Sequence, residues 1–137
     1  MTVSFADTNI FIRYLTNDDP AKGAKCREFF HGLRDGSRTA TTSEAIVAEV
    51  VYVLESKGWY ALPRERVRSL VEAVVLLQGW RLPDRPVYLR ALELYAEHRI
   101  DFQDALAAAH YERGGMRSIV SYDRDFDKIA GVVREEP

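Results

Sequence analysis

The sequence is poor in soft metal ligands and in net charge: one cysteine, three histidines, and 19 Lys and Arg set against 21 Asp and Glu. A lone Cys26 excludes an internal disulfide, and no Cys or His cluster has the spacing of a zinc site. The formal charge of −2 and pI near 5.9 supply no global field to draw in nucleic acid, so any such partner has to be held by a local patch. No apolar run approaches the length of a membrane span, and the N-terminus lacks the basic flank and long apolar core of a secretory signal. These absences predict a chain with no membrane partner, at home in the reducing cytoplasm.

What is present is enough for a sizeable core. With 137 residues, 47% of them hydrophobic, one domain spanning 1–137 is expected. Arg outnumbers Lys fifteen to four, and Arg carries the planar fork that matches phosphate, although a GC-rich genome produces the same bias.

The stretch 3–15, V-S-F-A-D-T-N-I-F-I-R-Y-L, organises the rest. A short apolar run ends at Asp7-Thr8-Asn9, after which Ile10, Phe11, Tyr14 and Leu15 recur on one helix face. This predicts a buried strand, a polar corner and a helix. In open α/β sheets ligands gather beyond the carboxyl ends of the strands, where Asp7 would lie, with Thr8 and Asn9 available to cap the helix.

A cap cluster at 17–20 precedes a helix over 21–33, with Ala24, Phe29, Phe30 and Leu33 inward and a stop at Asp35-Gly36. Residues 37–42 read as a modest strand. Thr41 and Glu44 have capping-box spacing, which starts the next helix near Thr42 and carries it to about Ser56. On that helix Glu49 is surrounded by Ile46, Val47, Val50, Val53 and Leu54. It either needs compensation for burial or shares a solvent stripe with Tyr52 and Ser56. A loop with Trp59-Tyr60 at its tip leads to a helix over 63–77, so 42–77 forms an α-hairpin, expected to serve as a partner or dimer surface. Residues 79–83 read as a brief strand, and Pro86 opens a further helix to about His98. In D-F-Q-D-A-L-A-A-A-H, Asp101 is placed to cap a helix with Asp104 in its first turn, and Gly114-Gly115 ends it. Capping and the helix dipole can account for both acids without chemistry. The strand 116–121 then delivers Asp123 at its carboxyl end. This alternation predicts an α/β fold, a three-layer α/β/α sandwich with a central parallel sheet.

Under that topology Asp7, Glu49, Asp104 and Asp123 can converge on one crevice. Two charges about 4 Å apart repel by about 4 kcal/mol at an effective dielectric of roughly 20, so such a cluster shares protons or holds a cation. All-oxygen ligation favours Mg²⁺ or Mn²⁺ over zinc, and such ions activate water against phosphoryl centres.

The four segments F-A-D-T-N-I-F-I-R-Y-L, I-V-A-E-V-V-Y-V-L, D-F-Q-D-A-L-A-A-A-H and I-V-S-Y-D-R-D-F, in this order and spacing, resemble the PIN domain, most closely the VapC toxins of bacterial toxin-antitoxin pairs. The resemblance covers essentially the whole chain. It implies a Mg²⁺- or Mn²⁺-dependent endoribonuclease that cuts tRNA, rRNA or mRNA with a metal-activated water, inhibits translation, forms a homodimer and is silenced by a VapB-type antitoxin. Position by position, it makes Asp7, Glu49, Asp104 and Asp123 the catalytic, metal-binding acids and Asp125 a looser metal contributor. Thr8 and Asn9 match the polar residues beside the first acid, and Ser121 stands where the family often has Thr. Asp101 competes with Asp104 for the third position, and the D-A-L-A-A-A that follows favours Asp104. Arg13, Arg85 and Arg124 are candidates to grip RNA phosphates.

Two other readings lack a residue they need, and two more stay open. A receiver module needs a Lys at a late strand, and none stands at 116–123. A haloacid-dehalogenase-like phosphatase would begin D-x-D, but Asn9 occupies the second position. A PIN fold kept for binding alone, or a PIN nuclease outside toxin-antitoxin pairs, stays open.

Overall fold

Apolar residues at helical spacing build six helices among the described residues, linked by strands only two residues long. The computed structural model describes residues 3–16 and 19–137. These divide into two units, Met1–Pro83 and Asp84–Pro137.

In the first unit, β1 (Ser4–Phe5) leads into α1 (Thr8–Thr16), followed by α2 (Pro20–Asp35), β2 (Ala40–Thr41), α3 (Glu44–Glu55) and α4 (Arg64–Val75). The strands pair in parallel, Ser4 with Ala40 and Phe5 with Thr41, and Trp80 adds a parallel bridge to Ala40. Asp19 caps α2 by accepting the Lys22 N–H, Pro20 starts it, and Gly36 at φ 82° ends it in the left-handed region that a side chain resists. Residues 17 and 18 of the expected cap cluster lie outside the described residues.

The core of this unit is an aromatic cluster. Phe11 stacks on Trp80 with centroids 5.4 Å apart and tilts against Phe30 at 5.6 Å, while Tyr14 stacks on Phe30 at 4.3 Å. The one polar atom of the indole is satisfied, since Trp80 Nε1 donates to the Val74 carbonyl at 2.8 Å. Leu33, Val50, Val51, Leu54 and Val67 complete the core. Truncating Phe30 to Ala would cost about 3–5 kcal/mol.

Three local expectations are corrected here: β1, expected to be buried, leaves Ser4 and Phe5 exposed, and the other two concern α3 and α2. The cap of α3 is Ser43, whose Oγ accepts the Ile46 N–H at 3.3 Å, and not Thr41. Thr41 and Thr42 spend their hydroxyls elsewhere, on the carbonyls of Arg81 at 2.7 Å and Ala6 at 2.9 Å, which stitch β2 to its neighbours. Ala24 faces outward, because Gly23 and Cys26 take the inward positions of α2.

The second unit holds α5 (Arg85–His98), α6 (Phe102–Gly114), β3 (Ile119–Val120), a one-turn 3-10 helix (Arg124–Lys128) and β4 (Arg134–Glu135). Helices α5 and α6 pack through Ala91, Leu92, Tyr95, Ala105 and Ala109, all buried, with the Tyr95 and Phe102 rings edge to face at 6.1 Å. Arg90 clips them from outside with a fork on Glu112 at 2.7 and 3.0 Å, holding the Glu112 carboxyl below the usual range. β3 and β4 pair in parallel, Ile119 with Arg134 and Val120 with Glu135. The Tyr111 hydroxyl ties α6 to the approach to β4, donating to the Gly131 carbonyl and accepting from the Val133 N–H. Among the described residues, then, the parallel pairing expected of one central sheet is present as two short ladders, one in each unit.

Candidate active site

Asp7 stands where β1 ends. The Ala6 N–H is held by the Thr41 carbonyl at 2.9 Å and the Ala6 carbonyl by Thr42, so the strand is fixed up to the residue before the acid. The Asp7 carbonyl accepts the Ile10 N–H at 3.2 Å, which turns the chain into α1 and leaves the Asp7 side chain exposed. Thr8, only 5% exposed, does not cap the helix with its hydroxyl as expected; Oγ1 donates to Glu49 Oε2 at 2.9 Å.

Glu49 is on the exposed stripe of α3 with Tyr52, while Val47, Ala48, Val50 and Val51 turn inward. Its carboxylate is not buried, and the hydrogen bond from Thr8 fixes its direction. Asn9 is exposed, and Arg13 lies half-buried in the last turn of α1.

In the second unit the buried residues Phe102, Ala105, Leu106, Ala108 and Ala109 seat α6 and fix Asp104 in its first turn. Asp101 occupies the N-cap position but its side chain makes no capping bond. Beyond β3, the Ser121 Oγ accepts the Asp123 N–H at 2.9 Å, and Asp123 Oδ1 accepts the Asp125 N–H at 2.9 Å. That pair of bonds makes Asp123 the cap of the 3-10 helix and presents Asp125 beside it.

Asp104, Asp123 and Asp125 each offer a carboxylate oxygen, and these oxygens lie within 4.8 Å of one another. Burial first, then the charges of Asp123 and Asp101, a hydrogen bond with Asp123 and the charge of Asp125, push the Asp104 carboxyl up to about 6. Asp101 contributes charge to this cluster without being one of the three. Three hard oxygen donors this close together suit a divalent cation such as Mg²⁺ or Mn²⁺, which would relieve the repulsion at Asp104.

The structure thus brings Thr8 to Glu49, and Asp104 to Asp123 and Asp125, each set within one unit. Arg85 is the first residue of α5, and Arg124 is exposed at the start of the 3-10 helix. Sequence reasoning missed Lys128, whose Nζ lies 3.0 Å from Asp125 Oδ1. The i, i+3 spacing in D-F-D-K was the available signal.

The PIN domain family profile matches residues 4–132. The chain is also 25% identical over 123 residues to a VapC ribonuclease of Aquifex aeolicus (strain VF5), a match covering 90% of this chain and 89% of that protein.

Proposed function

The chain belongs to the PIN domain family, and from that premise we propose that it is a metal-dependent endoribonuclease, the toxin of a VapBC-type pair, which inhibits translation by cutting RNA. The observation that carries this is the trio Asp104, Asp123 and Asp125, a hard-oxygen donor set on a chain similar to a VapC ribonuclease.

In this reading Asp7 and Asp104 would ligate a divalent ion directly, Glu49 and Asp123 would do so directly or through water, and Asp125 would be a looser contributor. A bound Mg²⁺ or Mn²⁺ supplies Lewis-acid polarisation of a phosphoryl oxygen and a water of lowered pKa as nucleophile. The chain's own groups do the rest. Thr8 aims Glu49, Ser121 and the Asp125 N–H hold Asp123 in place, and Arg13, Arg85 and Arg124 grip RNA phosphates. Water attack does not use the ribose 2′-OH and so leaves no 2′,3′-cyclic phosphate; with the 3′ oxygen as the leaving group, the reading gives a 5′-phosphate and a 3′-hydroxyl.

The same reading includes the three-layer sandwich with one central sheet, a single domain, a cytoplasmic setting, a homodimer and a VapB-type antitoxin. No helix among the described residues is long and apolar enough to cross a membrane. Support for a protein partner comes from Tyr52 and Trp59 of the α-hairpin, 65% and 69% exposed, and from a groove of about 290 Å³ whose lining includes Tyr14, Leu15, Arg34, Leu70 and Val74.

The test is incubation of the purified chain with a mixed tRNA and rRNA pool in Mn²⁺, followed by analysis of the new ends. Internal cuts bearing 5′-phosphates are expected. A 2′,3′-cyclic phosphate would contradict the water mechanism, and intact RNA with folded, partner-free protein would favour a binding module instead.

A further inference from the structure

The acidic trio has a cation of its own. Lys128 ends the 3-10 helix one turn after Asp125, and its Nζ lies 3.0 Å from Asp125 Oδ1, with the two side chains 49% and 41% exposed. The same Asp125 supplies one of the three oxygens that lie within 4.8 Å of one another. Asp123 already spends Oδ1 on the Asp125 N–H, so two of the three carboxylates have a partner in their own segment.

We propose that Lys128 is an internal counter-ion that competes with a divalent cation for Asp125, and so sets how tightly the trio binds one. This rests on the reading of the trio as a cation site.

The residue type suits the role. An ammonium is a single point charge on a flexible stem and can leave a carboxylate by rotating away, whereas a guanidinium holds it by two parallel bonds. The chain uses Arg fifteen times and Lys four, yet Lys stands here. The half-exposed pair is weak, which keeps the competition within the range that millimolar ion overcomes. When the ion binds, the displaced ammonium stays tethered beside it by the short 3-10 helix.

Calorimetric titration of the full chain with Mn²⁺ tests this. Lys128→Gln is expected to lower the dissociation constant about threefold, a factor that a surface ion pair supports. Lys128→Arg keeps the charge and is expected to bind as the unaltered chain does, or more weakly. The gain from Lys128→Gln should fall below about 1.5-fold in an Asp125→Asn background, because the cycle isolates the pair from the general loss of a positive charge. An equal gain in both backgrounds overturns the proposal, as does unchanged affinity in Lys128→Gln. If the unaltered chain binds no Mn²⁺, or Asp104→Asn binds it equally well, the cation-site reading fails and takes the proposal with it. Binding that Asp104→Asn loses and Lys128→Gln leaves unchanged removes only the role of Lys128.

Discussion

The buried Thr8 hydroxyl donates to the Glu49 carboxylate at 2.9 Å, joining the first residue of α1 to the middle of α3 across 41 positions. An exposed glutamate on a helix face otherwise samples several rotamers, so this bond gives Glu49 one direction. Thr8→Val keeps the shape and removes the donor. It is expected to slow RNA cleavage about tenfold, equivalent to about 1.4 kcal/mol, with little change in melting temperature, whereas Thr8→Ser keeps the rate. Single-turnover kinetics beside thermal melts check this, and a full rate for the Val variant would remove Thr8 from the account.

Asp104 links pH to stability in metal-free protein. Its folded carboxyl is raised to about 6 from the ordinary 3.8, so the folded state binds that proton more tightly than the unfolded chain. The resulting stabilisation is full below about pH 4 and is lost as pH rises through 6. Asp104→Asn is therefore expected to stabilise the protein in EDTA at pH 7.5 by about 1 kcal/mol, after allowance for solvent screening, and to have little effect at pH 4. Added Mn²⁺ should raise the melting temperature of the unaltered chain and leave Asp104→Asn where it was. Melts at the two pH values, with and without ion, decide the matter.

The α-hairpin contains a strained turn. Ala61 sits at φ 51°, with its N–H on the Ser56 carbonyl at 2.9 Å, in the left-handed region that costs an L-residue roughly 1 kcal/mol. Ala61→Gly is expected to raise the melting temperature by about 4 °C; a fall would show that backbone entropy outweighs the strain.

Gly79 is the opposite case. A Cβ there would lie 2.3 Å from the Arg38 carbonyl oxygen and 2.8 Å from Leu33 Cα, both backbone atoms, and the Gly79 N–H bonds the Leu33 carbonyl at 2.8 Å. Gly79→Ala is expected to cost about 3 kcal/mol or more and to lower the melting temperature by about 10 °C. Denaturant unfolding monitored by tryptophan fluorescence would follow this closely, since Trp80 is the next residue.

The helices were legible because their apolar positions recur at 3.6-residue spacing and their ends carry strong signals, such as Pro20 and Gly36 on α2. β4 was not. Its residues Arg134 and Glu135 have no apolar alternation, and the strand is held by backbone pairing to β3 and by Arg134 reaching Asp127 and the Ser121 carbonyl. The cap of α3 was misplaced by two residues because adjacent hydroxyls at 41–43 all fit a cap in sequence, and only tertiary partners decide which one is free for it. Asp7 and Asp123 were legible as strand-end acids, Asp104 as a helix-start acid and Glu49 as an acid on an otherwise apolar helix. Thr8 was legible as a polar residue beside Asp7, but its bond to Glu49 spans 41 positions and leaves no periodic trace, whereas Lys128 had only the i, i+3 spacing to Asp125 to mark it.

Under the proposed function, Asp7 and Asp104 both serve one metal-dependent cleavage of RNA. The most direct test measures cleavage of a mixed tRNA and rRNA pool by the unaltered chain, Asp7→Asn and Asp104→Asn, each in Mg²⁺, Mn²⁺ and EDTA. Cutting by the unaltered chain is expected in either ion and none in EDTA, with a loss of at least about a hundredfold in each variant. Cutting that persists in EDTA, or that either variant retains in full, would contradict the proposed function.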